Sequence, residues 1–181
     1  MKKFELTNEF IANRFETKLF RIRALVEFGD VEAGELGGYV EKESNLGHDD
    51  NAWVYGNARV YGDALVYDNA RVYDNAWVYG DAQVSGDARV CGDARVCGNG
   101  DYAYAHGFGS VNRTTTFFRL KDGGVGVRCG CFYGTLAQFR DKIRETHGET
   151  KKAQEYLMLA DLMELRFEED ENEVGNRKYV E

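Results

Sequence analysis

The chain has 181 residues with a formal net charge of −8, no proline and 21 glycines. That length suits one compact body or one repeat domain with a small companion, and the acidic balance argues against general binding to nucleic acid or to anionic membranes. No stretch reaches the roughly 18 apolar residues of a membrane span, and the opening MKKFELTNEF has no apolar segment of leader length, so the chain is expected to stay in the cytoplasm.

Residues 1–50 combine a strand-like stretch, Lys18 to Leu25, with the glycine-rich run GELGGYVEKESNLG. Val40 and Leu46 stand at six-residue spacing ahead of the region that follows. They predict a degenerate first coil within an N-terminal cap, needed because an open coil edge would recruit other strands.

From Asn51 to Gly98 one six-residue phrase recurs eight times: NAWVYG, NARVYG, DALVYD, NARVYD, NAWVYG, DAQVSG, DARVCG, DARVCG. Each phrase carries Ala and Val two residues apart, from Ala52 and Val54 to Ala94 and Val96. In an extended chain both point to one side and the residue between them to the other. Gly-Asn, Gly-Asp or Asp-Asn then turns the chain, because these residues accept positive φ or bond locally. Such short strands cannot bury a face alone. An unchanging small pair every six residues suits a stacked coil of constant radius better than hairpins with varied inner residues.

This periodicity resembles that of the hexapeptide-repeat proteins, whose left-handed parallel β-helix takes three hexads per triangular coil and breaks the right-handed crossover rule. The run GELGGYVEKESNLGHDDNAWVYG, like the later TTTFFRLKDGGVGVRCGCFYGTL, is also similar to hypothetical bacterial and phage proteins labelled as transferases or polymer-forming proteins. The expected fold is therefore mainly β: a short left-handed parallel β-helix over residues 51–110, with an N-terminal cap and a C-terminal ββαα cap. Three hexads per coil make about 2.7 coils, on the order of 13 Å tall at about 4.8 Å per stacked strand.

Residues eighteen apart share a face of such a prism. One outward column is Arg59, Trp77 and Arg95, with Tyr61, Tyr79 and Cys97 beside it. The next is Trp53, Arg71 and Arg89, with Tyr55, Tyr73 and Cys91. The third, Leu65 and Gln83 with Tyr67 and Ser85, is blander.

Beyond residue 110, Thr114 to Leu120 and Val125 to Phe132 read as a hairpin around KDGG. Thr135 and Gln138 form a capping box before a helix whose apolar face is Leu136, Phe139 and Ile143, and Gly148 ends it. A second helix is expected from Thr150 to Phe167, with Ala153, Tyr156, Leu157, Ala160, Met163 and Phe167 on its core face. Residues 169–181 form a charged tail, expected to be disordered. Cys91 and Cys97 lie on adjacent prism faces, beyond disulfide reach. Cys129, Cys131 and His147 match no standard zinc spacing, so no metal is expected and the thiols are read as reduced.

Two functional classes remain. In one, the protein is a non-catalytic recognition scaffold. Its binding or interface residues would be Trp53, Tyr55, Arg59, Tyr61, Arg71, Tyr73, Trp77, Tyr79, Arg89 and Arg95, because Trp, Tyr and Arg dominate binding hot spots. Arg71, Arg89 and Arg95 would hold phosphates of a small anionic, nucleotide-like ligand while Tyr and Trp stack a base. The partner is otherwise a host protein, as for a phage-type accessory or anti-defence protein. The resemblance implies a homo-oligomer, a trimer first. The plainer alternative is that these ladders only stabilise the coil from outside. In the other class, implied by the same resemblance, the chain is an acyltransferase using acetyl-CoA, with His48, His106 or His147 as general base. His106 in DYAYAHGFGS leads, since glycines there leave room for a ligand. The scaffold reading needs no cofactor.

Overall fold

A computed structural model describes residues 1–109 and 111–168; the predicted disordered tail lies outside the described residues. The chain opens with β1 (Phe4–Ala12), β2 (Lys18–Ala24) and β3 (Leu36–Val40), followed by a 3-10 turn at Glu43–Asn45. Eight two-residue strands come next: β4 (Trp53–Val54), β5 (Arg59–Val60), β6 (Leu65–Val66), β7 (Arg71–Val72), β8 (Trp77–Val78), β9 (Gln83–Val84), β10 (Arg89–Val90) and β11 (Arg95–Val96). The chain ends in β12 (Tyr102–Phe108), β13 (Arg113–Arg119), β14 (Val125–Cys129), β15 (Phe132–Thr135), α1 (Leu136–His147) and α2 (Lys151–Phe167).

The repeat is a β-solenoid of about three turns. Strands eighteen residues apart pair in parallel: β4 with β7 and β10, β5 with β8 and β11, β6 with β9. Backbone bonds join one coil to the next, as from Trp53 N–H to Ala70 C=O at 3.1 Å and Tyr55 N–H to Val72 C=O at 2.8 Å. Every inward Ala and Val from Ala52 to Val96 is at most 1 % exposed. Each buried valine contributes about 1.5 kcal/mol or more by leaving water.

The turns explain two departures from glycine in the repeat. Asp68 and Asp74 stand where other hexads have Gly, and both keep positive φ, 56° and 60°. Their Oδ2 atoms accept the N–H groups of Gly86 and Gly92, eighteen residues on, at 3.0 and 3.1 Å. The bond to the next coil offsets the strain of the left-handed conformation. At Gly80 no such replacement fits, because a Cβ there would meet Cys97 C=O at 2.3 Å.

The N-terminal segment does more than wind a degenerate coil. Val40 pairs with Val60 and Leu46 bridges to Val66, which continues two faces downward. In addition β1 and β2 form an antiparallel hairpin on β3, making a six-stranded sheet with β5, β8 and β11. Buried Asn45, beside Leu46, closes the lower edge of the β6 face, donating to Gly62 C=O at 3.1 Å and Ala64 C=O at 2.8 Å.

The column pattern puts Trp53 on the outside of the prism, but in the structure it lies in the core. Trp53 is fully buried, with Phe4 and Phe28 packed edge-on at 6.1 and 5.3 Å. The N-terminal segment crosses that end of the face, so the outward direction there leads into a second layer of core.

His48 belongs to the same seat. Its ring stacks on Phe4 at 4.5 Å, and its Nδ1 accepts the Lys3 N–H at 3.2 Å. Burial holds the imidazole below its ordinary value, with Lys3 and Lys2 acting in the same direction against Glu43 and Asp49. The folded state therefore prefers neutral His48, and the unfolded chain takes up a proton first as pH falls through its usual value of 6.5. Amide protection of β1 should drop between about pH 7.5 and about pH 5.5, and His48→Phe should flatten that change. Equal protection at both pH values would remove His48 from the seat.

At the other end, β12–β15 form one antiparallel sheet rather than an isolated hairpin. Residues 102–108, read above as a continuation of the prism, are its first strand, and the coil stops near Gly98. Phe118 joins the solenoid core, while Phe117 packs with Phe139, Ile143, Tyr156 and Ala160 of the helices. The sheet is thus held between the last coil and the helix pair. Among the described residues no helix is long and apolar enough to cross a membrane.

Candidate functional site

The columns named from the sequence meet different surroundings. On the face of β5, β8 and β11 the Trp77 ring lies between two guanidinium groups, Arg59 at 4.9 Å and Arg95 at 4.2 Å. Tyr61 and Tyr79 stack beside it, 5.2 Å apart and nearly parallel at 8°. Arg95 also donates to Asn75 C=O at 3.1 Å and Ala94 C=O at 2.7 Å. This ladder largely satisfies itself, both faces of the indole already being covered by Arg.

The face of β4, β7 and β10 is overlaid at both ends. Tyr55 donates to Asp30 at 3.1 Å, and Arg71 pairs with the same carboxylate at 2.7 Å. Burial pushes the Tyr55 hydroxyl up to about 12. Burial opposes ionisation of Asp30 too, yet the Arg71 and Tyr55 bonds outweigh it and hold the carboxyl below its usual value. At the other end the Arg128 guanidinium lies over the Tyr73 ring at 5.8 Å, and Arg89 N–H donates to Thr116 Oγ1 at 2.9 Å. Cys91 is buried there, its thiol raised to about 11 by that burial, which keeps it unreactive.

Between these covers a cleft of about 530 Å³ remains open. Its solenoid wall presents Arg71 and Arg89, with Asn51, Asn69 and Asp87 stacked at eighteen-residue intervals beside them. Asn51 donates to Asn69 at 3.0 Å, joining the first two members of the column. The opposite wall comes from the C-terminal sheet: His106 on β12, Arg113 and Thr114 on β13, and Gly130 in the turn after β14. His106 Nδ1 is 2.8 Å from Thr114 Oγ1 and 3.9 Å from Asp87 Oδ2. Gly130 has φ of 59°, and the Arg113 guanidinium lies where its Cβ would be, at 1.7 Å. Glycine is therefore required at 130 both for the turn and for the placing of Arg113.

The charge in this cleft is uneven. Arg71 is paired with Asp30, whereas Arg89 and Arg113 have no ion-pair partner among the described residues. Of the arginines expected to act together, Arg71 and Arg89 share the cleft and Arg95 does not, since six residues along a three-sided coil lead to the next face. Arg113 takes the third place. Sequence reasoning missed it because it opens a strand outside the repeat, where no column marks it; the only signal is a lone basic residue in VNRTTT beside a glycine-rich break.

The remaining candidates lie elsewhere. His48 serves the N-terminal seat, and His147 stacks on Tyr156 at 6.0 Å. The cysteines are unbridged, and among the described residues no group of three or more His, Cys, Asp or Glu side chains is placed to hold a metal ion.

A family model described as the YdcK beta solenoid repeat matches the chain three times, over residues 52–68, 64–80 and 82–98. The similarity covers the coil and neither the N-terminal hairpin nor the sheet and helices that close the cleft. No curated protein matches the chain.

Proposed function

We propose that the protein is a non-catalytic binding module that takes a small multiply charged anion, such as a nucleoside diphosphate, in the cleft between the solenoid and the C-terminal sheet. The observation that carries this reading is the convergence of Arg71, Arg89 and Arg113 from two structural units on one cleft in a chain of net charge −8. Guanidinium groups bind phosphate and carboxylate through paired N–H donors. An anion also relieves their mutual repulsion, which Asp30, paired with Arg71, and Asp87 in the cleft wall offset only in part.

The test is thermal denaturation with ADP, pyrophosphate and acetyl-CoA. At about 100 times its dissociation constant a ligand should add about 2.7 kcal/mol, several degrees for a chain of this size. Arg89→Ala and Arg113→Ala should each weaken binding by about tenfold or more. No shift with any polyanion would end the proposal.

The acyltransferase alternative has one observation in its favour: His106 lies in this cleft, with one ring nitrogen held by Thr114. Under that reading acetyl-CoA stabilises the protein and His106→Ala abolishes turnover. Under the binding reading His106→Ala changes affinity only a few-fold. Left-handed coiling and a trimeric or other self-assembly are carried in the same proposal, with the Arg59, Trp77 and Arg95 ladder as the contact surface.

A further inference from the structure

A second hollow, of about 260 Å³, lies between the C-terminal sheet and the two helices. Its walls are aromatic and aliphatic. Phe132 and Phe139 rings stand 5.5 Å apart, Tyr156 meets Phe139 edge-on at 5.8 Å, and Ile143 is buried beside them. The rim is basic: Arg113 reaches it from β13, and Lys142 and His147 come from the last turns of α1.

Basic residues at the end of a helix answer that helix's own carbonyl groups. That does not account for Arg113, which belongs to another element and faces the same space. Among the described residues the acidic group paired at the rim is Glu145, bonded to Lys142 at 2.8 Å with both side chains largely exposed, a contact worth little and easily exchanged. Aromatic walls under converging cations suit a flat apolar body bearing a single negative charge. A volume this small suits a one-ring ligand.

We propose that this hollow binds a small aromatic monocarboxylate, its ring against Phe139 and Tyr156 and its carboxylate between Lys142 and Arg113. The site is separate from the polyanion cleft apart from Arg113, which lines both. Cys129 lies within the hollow, its thiol accepting from Thr115 Oγ1 at 3.2 Å, while Cys131 is exposed at its edge. Cys131 therefore reports occupancy.

The experiment follows alkylation of Cys131 by iodoacetamide in the full chain, by peptide mass, with benzoate, phenylacetate, benzyl alcohol or benzylamine present. The two carboxylates should protect Cys131, and the neutral and cationic analogues should not. Lys142→Glu should weaken protection by about tenfold or more. Arg89→Ala, which disables the other cleft, should leave protection unchanged, so the two proposals fail separately. Equal protection by benzyl alcohol, or none by either carboxylate up to about 10 mM, overturns the assignment. The comparison of analogues needs only the unmodified protein and holds even if a variant folds poorly.

Discussion

Replacing Trp53 with alanine should destabilise the protein by about 3–5 kcal/mol, the usual cost of removing a large buried aromatic side chain. Trp53 is fully enclosed, and its loss opens a cavity between the lowest coil and the Phe4 and Phe28 side chains that cover it. The damage should be local first. Amide exchange should rise in β1 and β2, whose hold on the solenoid depends on that cluster, before it rises in β8 to β11. Trp53→Phe should cost much less, because the indole N–H has no partner to lose among the described residues. Had Trp53 been a displayed contact residue, alanine would leave stability unchanged and remove a partner. Exchange rates and melting temperature separate the two cases.

A comparable loss is expected at the other end. Asp101 and Arg119 are both nearly buried where the last coil meets the C-terminal sheet, with Arg119 Nε 3.9 Å from Asp101 Oδ1. The other carboxylate oxygen accepts from Cys97 N–H at 3.0 Å and from its thiol at 2.9 Å. Arg119 also donates to Gly123 C=O at 3.0 Å and lies over Phe167 at 5.2 Å. Asp101→Ala leaves a buried guanidinium without its counter-charge and a backbone N–H without its acceptor, for a cost of about 3–5 kcal/mol. For a chain of this length that lowers the melting temperature by roughly 6–20 °C. Adding Arg119→Met to Asp101→Ala should recover part of the loss, since removing both charges is cheaper than stranding one. If the double variant is less stable than the single one, the pair is not what joins the two units.

The coil was legible because its cause is local: a small and an aliphatic residue two positions apart, every six residues, with a turn between. That pattern predicts the stacking of positions 53, 71 and 89, and of 59, 77 and 95, and the parallel pairs in the structure have that register. What covers each face was not legible. Phe4 and Phe28 reach Trp53 from far along the chain, and no periodicity connects them to it. Likewise YAYAHGF has the period-2 alternation of an ordinary strand, but directly after eight hexads it reads as their decay. The candidate site divides the same way. Arg71 and Arg89 share a column and could be paired from the sequence, whereas Arg113 and His106 reach the cleft only through the packing of the C-terminal sheet on the last coil.

Under the proposed function, Arg71, Arg89 and Arg113 together form an anion site. Crystals of the full chain soaked in tungstate would reveal such a site, because the anomalous signal of the metal locates a bound oxyanion without assumptions about the natural ligand. A peak between Arg89 and Arg113, on the side of Arg71, is predicted, and Arg89→Ala should remove it. Tungstate bound only at other arginines, with the cleft empty, would rule the anion site out.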